Sequence, residues 1–315
     1  MIKKLFFASC LAFSFVALAQ EKDSILIKKE LQEVKVNALR ATSLTPISFT
    51  NISKEELEEQ NLGQDLPFLL SFIPSIVTTS DAGAGVGYTG FRVRGSDPTR
   101  VNVTINGIPL NDSESHGVFW VNMPDFSSSI ENIQIQRGVG TSTNGAGAFG
   151  ASLNLITDKL KSKAYASTSN TVGSYGTLKN NVEFGTGLIN NRFTVDARLS
   201  KIESDGYIDR ATSDLKSFYL SGGYYGDDES LKLTIFSGKE VTYQAWNGVP
   251  LGYLDDDSLR TFNIYEYDNE VDNYAQTHYH FHYTKQLKEN EVFNLGLHYT
   301  KGLGYFEQFR SNDNL

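Results

Sequence analysis

Val101 to Leu110 reads Val-Asn-Val-Thr-Ile-Asn-Gly-Ile-Pro-Leu. Val101, Val103 and Ile105 alternate with Asn102 and Thr104, the period of a strand with one buried face, and Asn106-Gly107 is the dipeptide a tight hairpin turn prefers. The same alternation appears on either side of this stretch, in Phe91-Arg92-Val93-Arg94, Ile130 to Ile135 and Ala151 to Ile156. Upstream, Ser53-Lys54-Glu55-Glu56 has the spacing of a capping box: a serine caps a helix start and the third residue on reaches back. The helix it opens carries Leu57 on its apolar side and closes at Asn61-Leu62-Gly63. A second short helix is expected from Gln64 to Leu70, stopped by Pro74. Residues 41–160 therefore read as a small α+β domain with glycine-rich connections.

Beyond Lys161 the helical period disappears. Phe193, Val195, Ala197 and Leu199 alternate with Thr194, Asp196, Arg198 and Ser200. Leu231, Leu233 and Ile235 alternate with Lys232 and Thr234, and Phe293, Leu295, Leu297 and Tyr299 with Asn294, Gly296 and His298. Short polar breaks at Asn190-Asn191, 227–230 and 288–290 take turns with longer polar stretches, chiefly 246–273. Long loops at one end and short turns at the other suit an outer-membrane barrel. A soluble β-sandwich shows the same alternation, and tyrosines near strand ends (Tyr165, Tyr175, Tyr207, Tyr224, Tyr225, Tyr243) favour the barrel, whose interfaces carry aromatic girdles.

Composition narrows the function classes. The 315 residues hold 28 Lys+Arg against 37 Asp+Glu, a net charge of -9, which opposes a nucleic-acid-binding surface. One cysteine, Cys10, supports neither a disulfide framework nor a thiolate metal site. Lys3 and Lys4, the apolar run Leu5 to Leu18 and Ala17-Leu18-Ala19 read as a secretory signal over residues 1–19, cleaved before Gln20. Residues 20–27 read as a charged tail. Val34 and Val36, within Leu31 to Ala38, alternate like a strand with no local hairpin partner. Such a segment is either the first strand of the next domain or an element that adds to a partner's sheet edge.

Phe91 to Gly95 (FRVRG), Val101 to Leu110 (VNVTINGIPL), Ile130 to Gly138 (IENIQIQRG) and Gly145 to Thr157 (GAGAFGASLNLIT) together resemble, in order and spacing, the plug domain of TonB-dependent outer-membrane receptors. The strands after residue 161 resemble the start of that family's plugged barrel, which has 22 strands. About seven strands precede Leu315, and bacterial barrels close with even numbers. The fold expected is an α+β plug (41–160) followed by the first antiparallel strands of an incomplete barrel (161–315), the N-terminal part of a longer receptor.

The resemblance implies roles for particular residues. Residues 20–40 become a periplasmic tail in which Glu33, Val34, Lys35 and Val36 match the TonB box, the segment that pairs with a periplasmic TonB-type energy transducer. Lys35 departs from the valines common there. Arg94 and Arg137 match arginines that pair with barrel carboxylates and lock the plug, with partners beyond Leu315. Two outward plug loops, 80–90 and 111–125, would meet the ligand through Asp81, Tyr88, His116, Phe119 and Trp120. The adjacent Phe119 and Trp120 read either as an aromatic floor for a bulky ligand or as ordinary packing.

Other features carry less. Gly83-Ala84-Gly85-Val86-Gly87 looks like a dinucleotide fingerprint but precedes a strand where a helix is required. His278, His280 and His282 share a strand face and read as a polar lumen face more readily than as a chelate. Asp255-Asp256-Asp257 reads as a solvated run. Asn51-Ile52-Ser53 and Asn102-Val103-Thr104 match a glycosylation pattern and are assigned no function. No catalytic constellation, cofactor motif or metal site stands out.

The function the resemblance implies is energy-coupled uptake of a scarce ligand across the outer membrane, first a ferric siderophore or other metal chelate, with no enzyme activity. A glycan, peptide or cobalamin importer, a non-transporting barrel or adhesin, and a secreted β-protein are the rivals. The expected partners are the transducer, the extracellular ligand and outer-membrane lipid.

Overall fold

The computed structural model describes residues 40–140, 147–157, 160–288 and 291–310. The expected signal segment and the Glu33 to Val36 segment lie outside them.

The N-terminal unit is built on a five-stranded sheet of order β1-β6-β7-β4-β5 and a two-stranded ribbon. The sheet strands are β1 (Phe49–Ser53), β4 (Val101–Ile105), β5 (Ile108–Pro109), β6 (Asn132–Arg137) and β7 (Ala151–Ile156). The ribbon pairs β2 (Ile76–Ser80) with β3 (Thr89–Val93). Asn106 and Gly107 take φ of 51° and 86°, so the hairpin closes as the dipeptide requires, with Ile105 opposite Ile108. Helix α1 (Lys54–Glu58) starts from a complete capping box: Ser53 Oγ accepts from the Glu56 N–H and the Glu56 carboxylate from the Ser53 N–H. Helix α2 (Leu66–Leu69) is shorter than its sequence pattern, entering through Pro67 and ending at Leu70.

One face of the sheet is apolar. Ile133, Ile135, Leu153, Leu155, Val101, Val103 and Ile105 are buried there with Leu57, Leu69, Phe91, Trp120 and Phe126. Burial at about 25 cal/mol per Å² makes this core the main stabilising element of the unit.

The second unit is one antiparallel meander of seven strands in chain order: β8 (Tyr165–Val172), β9 (Leu178–Gly185), β10 (Phe193–Ser204), β11 (Ser213–Tyr225), β12 (Glu229–Tyr243), β13 (Val271–Lys288) and β14 (Glu291–Phe306). Its faces are inverted relative to a soluble sheet. Leu199 is 58% exposed while its neighbours Arg198 and Ser200, at 3% and 8%, face the N-terminal unit, and Leu233 is exposed beside buried Thr234. An apolar outer face with a polar inner one is the arrangement of a lipid-facing barrel wall, and a sandwich would bury the apolar side. Among the described residues no helix is long and apolar enough to cross a membrane, which says nothing of strands. The sheet is not closed: β8 and β14 are its end strands.

Candidate functional site

The wall's long connections, 205–212 and 244–270, lie at one end of the sheet, the end that faces outward in barrels of this kind. The loop between β2 and β3 rises to meet them. Gly83, Gly85 and Gly87 have φ of 73°, 76° and 91°, the left-handed region open to glycine, and this bends the loop back so that the Asp81 N–H donates to the Tyr88 carbonyl at 2.9 Å. A strand follows these glycines, so they form a turn and no phosphate cradle. The Tyr207 N–H donates to the Ala82 carbonyl at 2.8 Å, joining loop to wall.

Asp81 and Tyr88 thus share one constellation. The Tyr88 hydroxyl donates to the Asp272 carboxylate, and its ring meets Trp246 edge-on at 5.6 Å. Burial pushes the Asp81 carboxyl up to about 6 and raises the Tyr88 phenol. Below them Asp65 is buried, with Oδ2 accepting from Thr89 Oγ1 at 3.0 Å and Oδ1 without a partner. Burial pushes Asp65 up to about 8. The unfolded carboxyl releases its proton near pH 4, so stability falls as pH rises from about 4 to about 8. Asp65→Asn is expected to flatten that slope and raise the melting temperature at pH 8 by several degrees relative to wild type, read by tryptophan fluorescence. An unchanged pH slope refutes the assignment.

His116 and Phe119 lie on a separate loop. Asp112 accepts from the Glu114 and Ser115 N–H groups at 2.9 and 2.7 Å, and Asn111 Nδ2 donates to the His116 carbonyl, holding His116 at φ 59°. Phe119 is 50% exposed. Of the two readings of the aromatic pair, Trp120 has the geometry of packing: it is 4% exposed and lies on Phe91 at 5.8 Å, because the 3-10 turn Trp120–Asn122 rolls its ring into the core. The aromatic pair divides, one ring inside and one out.

Arg94 is exposed at φ 51°, and Arg137 Nη2 donates to Thr50 Oγ1 at 2.9 Å. Burial and then the charge of Arg94 lower the Arg137 pKa. His278, His280 and His282 face inward. His278 stacks on Phe236 at 4.6 Å and His282 Nε2 lies 3.1 Å from the Asn106 carbonyl. Among the described residues no group of His, Cys, Asp or Glu is placed to hold a metal ion. Asp256 and Asp257 bond to nearby Ser258 and Arg260 in the exposed loop.

The strongest contact between the units is one that sequence reading missed. Asp125, at φ 52°, is fully buried and accepts from Lys179 Nζ at 2.6 Å, Asn181 Nδ2 at 2.6 Å, Ser200 Oγ at 2.7 Å and Arg198 at 3.2 Å. Ser128 Oγ adds a bond at 2.6 Å from its own unit. Burial alone would raise this carboxyl, but Arg198 and Lys179 outweigh it and hold Asp125 well below the usual carboxylate range. Lys179, Asn181, Arg198 and Ser200 all sit at polar positions of the alternating pattern, the one signal in the sequence that they face inward. Phe126 packs on Phe236 at 5.0 Å beside this hub, and Ser217 Oγ donates to the Pro124 carbonyl at 2.7 Å.

A polar and aromatic loop apex thus lies under the long wall loops, on a small domain seated against an inside-out sheet. The family model for the TonB-dependent Receptor Plug Domain matches residues 41–152. These residues are a TonB-dependent receptor plug domain. The chain is similar to the probable TonB-dependent siderophore receptor PirA of Acinetobacter baumannii, 24% identical over 175 residues, which are 51% of this chain and 23% of PirA. Two solved structures share the fold of plug and wall. The closed form of the ferric-catecholate import receptor Fiu from E. coli K12 has a TM-score of 0.68 at 17% identity over 83% of this chain and 38% of that one. The ferric yersiniabactin uptake receptor FyuA from Yersinia pestis has 0.67 at 12% over 84% and 42%. The chain spans less than half the length of each of these relatives. The fold expected from sequence, a plug followed by the first strands of an unclosed barrel, is the fold observed.

Proposed function

We propose that this chain is part of an outer-membrane receptor that takes up a scarce ligand, a ferric siderophore or other metal chelate, with energy from a TonB-type transducer. The plug seated against an inside-out wall is the observation that carries this reading, and the likeness to Fiu, a ferric-catecholate import receptor, FyuA, a ferric yersiniabactin uptake receptor, and PirA, a probable siderophore receptor, supports the substrate class. In this reading residues 20–40 lie in the periplasm, Glu33 to Val36 pair with the transducer, and Arg94 and Arg137 meet carboxylates of the rest of the wall. Asp81, Tyr88, His116 and Phe119 meet the ligand, and Trp120 supports them from the core.

The test is uptake of radiolabelled iron, supplied as ferric citrate, a ferric catecholate and a ferric hydroxamate, by iron-limited cells lacking the gene. Loss with one chelate names the class; unchanged uptake of all three refutes chelate import and turns attention to cobalamin, glycan or peptide. Val34→Pro removes a backbone donor from the pairing segment and is expected to reduce uptake of the active chelate at least tenfold with surface binding intact. Normal uptake by that variant excludes the pairing role.

A further inference from the structure

The outward end of the wall, its mouth, is acidic. The connections 173–177, 205–212 and 244–270, the plug loop 80–90 that meets them and the segment 307–310 after β14 hold ten Asp and Glu residues against three Arg, with no Lys or His. Their net charge is -7, against -9 for the whole chain, so the excess of acid is concentrated at this end. Two of the arginines are already engaged. Arg210 is committed to main chain, with Nε donating to the Tyr265 carbonyl at 3.0 Å and Nη2 to the Asn263 carbonyl at 2.9 Å. Arg260 pairs with Asp257 at 3.2 Å.

The loop apex that the plug raises into this field has the same bias. The Asp81 carboxyl, pushed up to about 6 by burial and so ionised at neutral pH, takes no hydrogen bond or ion pair among the described residues. Asp272 accepts from the Tyr88 hydroxyl. Asp65, 3% exposed beneath the loop, donates its N–H to the Gly85 carbonyl at 2.9 Å and keeps Oδ1 without a donor. Acceptors in want of donors are met by a ligand that brings N–H groups or positive charge. Aromatic rings border these acids: Tyr88, Tyr265 and Phe306 stand edge-on to Trp246, with centroids at 5.6, 6.3 and 6.1 Å. The electron-rich face of such a ring attracts a cation within about 6 Å and offers an anion nothing. Trp246 Nε1, a buried donor without an acceptor, suits an uncharged carbonyl or hydroxamate oxygen.

We propose that this mouth selects its ligand by charge, admitting a neutral or positively charged chelate, such as a ferric hydroxamate with a free amine, and turning away polyanionic ones such as a ferric tris-catecholate or ferric citrate. A cleft lined by charges of one sign focuses its field and changes association rates by about 10- to 1,000-fold. The inference deepens the uptake reading and rests on it for the entry of a chelate; the sign of the field is independent of that reading.

Charged thiol reagents read the field without reference to any chelate. In full-length receptor otherwise free of cysteine, Asn247→Cys, beside Trp246, is expected to react with a cationic methanethiosulfonate about tenfold or more faster than with an anionic one, after correction for the ratio shown by a small free thiol. The gap is expected to close in about 1 M salt, where charges are screened beyond about 3 Å. It is expected to narrow severalfold when Asp81→Asn, Asp255→Asn, Asp256→Asn and Asp257→Asn are combined, with heat-modifiable migration confirming that each variant folds. Equal rates, or a faster anion, in the protein that retains these acids overturn the proposal. In iron-limited cells, receptor-dependent uptake is expected for a linear ferric trihydroxamate with a free amine, and more slowly for its succinylated derivative, which carries the same iron core with the charge reversed. Receptor-dependent uptake of the ferric tris-catecholate, or a preference for the succinylated form, also overturns it. A cationic preference at Asn247→Cys in cells that take up no chelate refutes the uptake reading and leaves charge selection at the mouth standing.

Discussion

Asp125→Ala is expected to unseat the plug. The carboxylate is the shared partner of Lys179 and Arg198, and removing it leaves two desolvated cations facing an empty site. Breaking a buried pair in this way costs about 3–5 kcal/mol. A second cost comes from the backbone: position 125 is left-handed, a conformation that asparagine and aspartate tolerate and alanine resists by about 1–2 kcal/mol. Asp125→Asn keeps the backbone and several hydrogen bonds, so it is expected to fall between wild type and alanine. The measurement is protease sensitivity of the plug and the urea midpoint of tryptophan fluorescence in a Trp246→Phe background, which leaves Trp120 as the tryptophan of this chain, with heat-modifiable migration confirming that the wall has formed. A midpoint for Asp125→Ala within error of wild type would show that the hub does not seat the plug.

Gly238→Ala is expected to have a comparable effect by steric means alone. Gly238 lies in β12 with no left-handed torsion, so alanine suits the strand itself. A methyl there would run into the carbonyl oxygen of Asn122 and approach Pro124 Cδ to 2.6 Å. Backbone occupies that space, and packed interiors absorb such overlap only by moving main chain, typically at about 1–3 kcal/mol or more. The expected result is a wall that assembles and a plug that docks out of place, seen as proteolysis of the plug within a heat-modifiable barrel. Wild-type protease resistance would mean that the plug rides farther from β12 than the structure has it. Combined with Asp125→Asn, the loss should exceed neither single effect by full addition, because both act on the same seam.

How much of this was legible beforehand follows from where each contact lies along the chain. The Asn106-Gly107 hairpin, the Ser53–Glu56 capping box and the alternation of β10, β12 and β14 depend on residues a few positions apart, and sequence reading found them. The order β1-β6-β7-β4-β5 depends on pairs such as Asn51 with Gln134, and no local pattern announces it. The Asp125 hub was invisible for the same reason: Ser200 reaches it across 75 residues of chain. Trp120 and Phe119 show a different limit. Two aromatics in a polar loop cannot be assigned inside or outside until the 3-10 turn between them and β12 is known. The inside-out wall was the reverse case, since its alternation fitted two folds that strand-end tyrosines only weighted, and the observed exposure of Leu199 beside buried Arg198 separates them.

The connectivity of the two sheets also sets an order of assembly. Each wall strand pairs with its neighbour in sequence, so every hairpin from β8 to β14 closes a loop as soon as its second strand exists. The plug sheet cannot do this: β1 waits for β6, and the parallel pair of β4 and β7 waits for residue 151. Loop-closure entropy makes such distant pairings the slow ones. The plug sheet is therefore the slower of the two to pair although its strands come first in the chain, and until it pairs the aliphatic strands β6 and β7 are open to other chains. The apolar face that later stabilises the plug is, during that interval, the part of the molecule most in need of a chaperone.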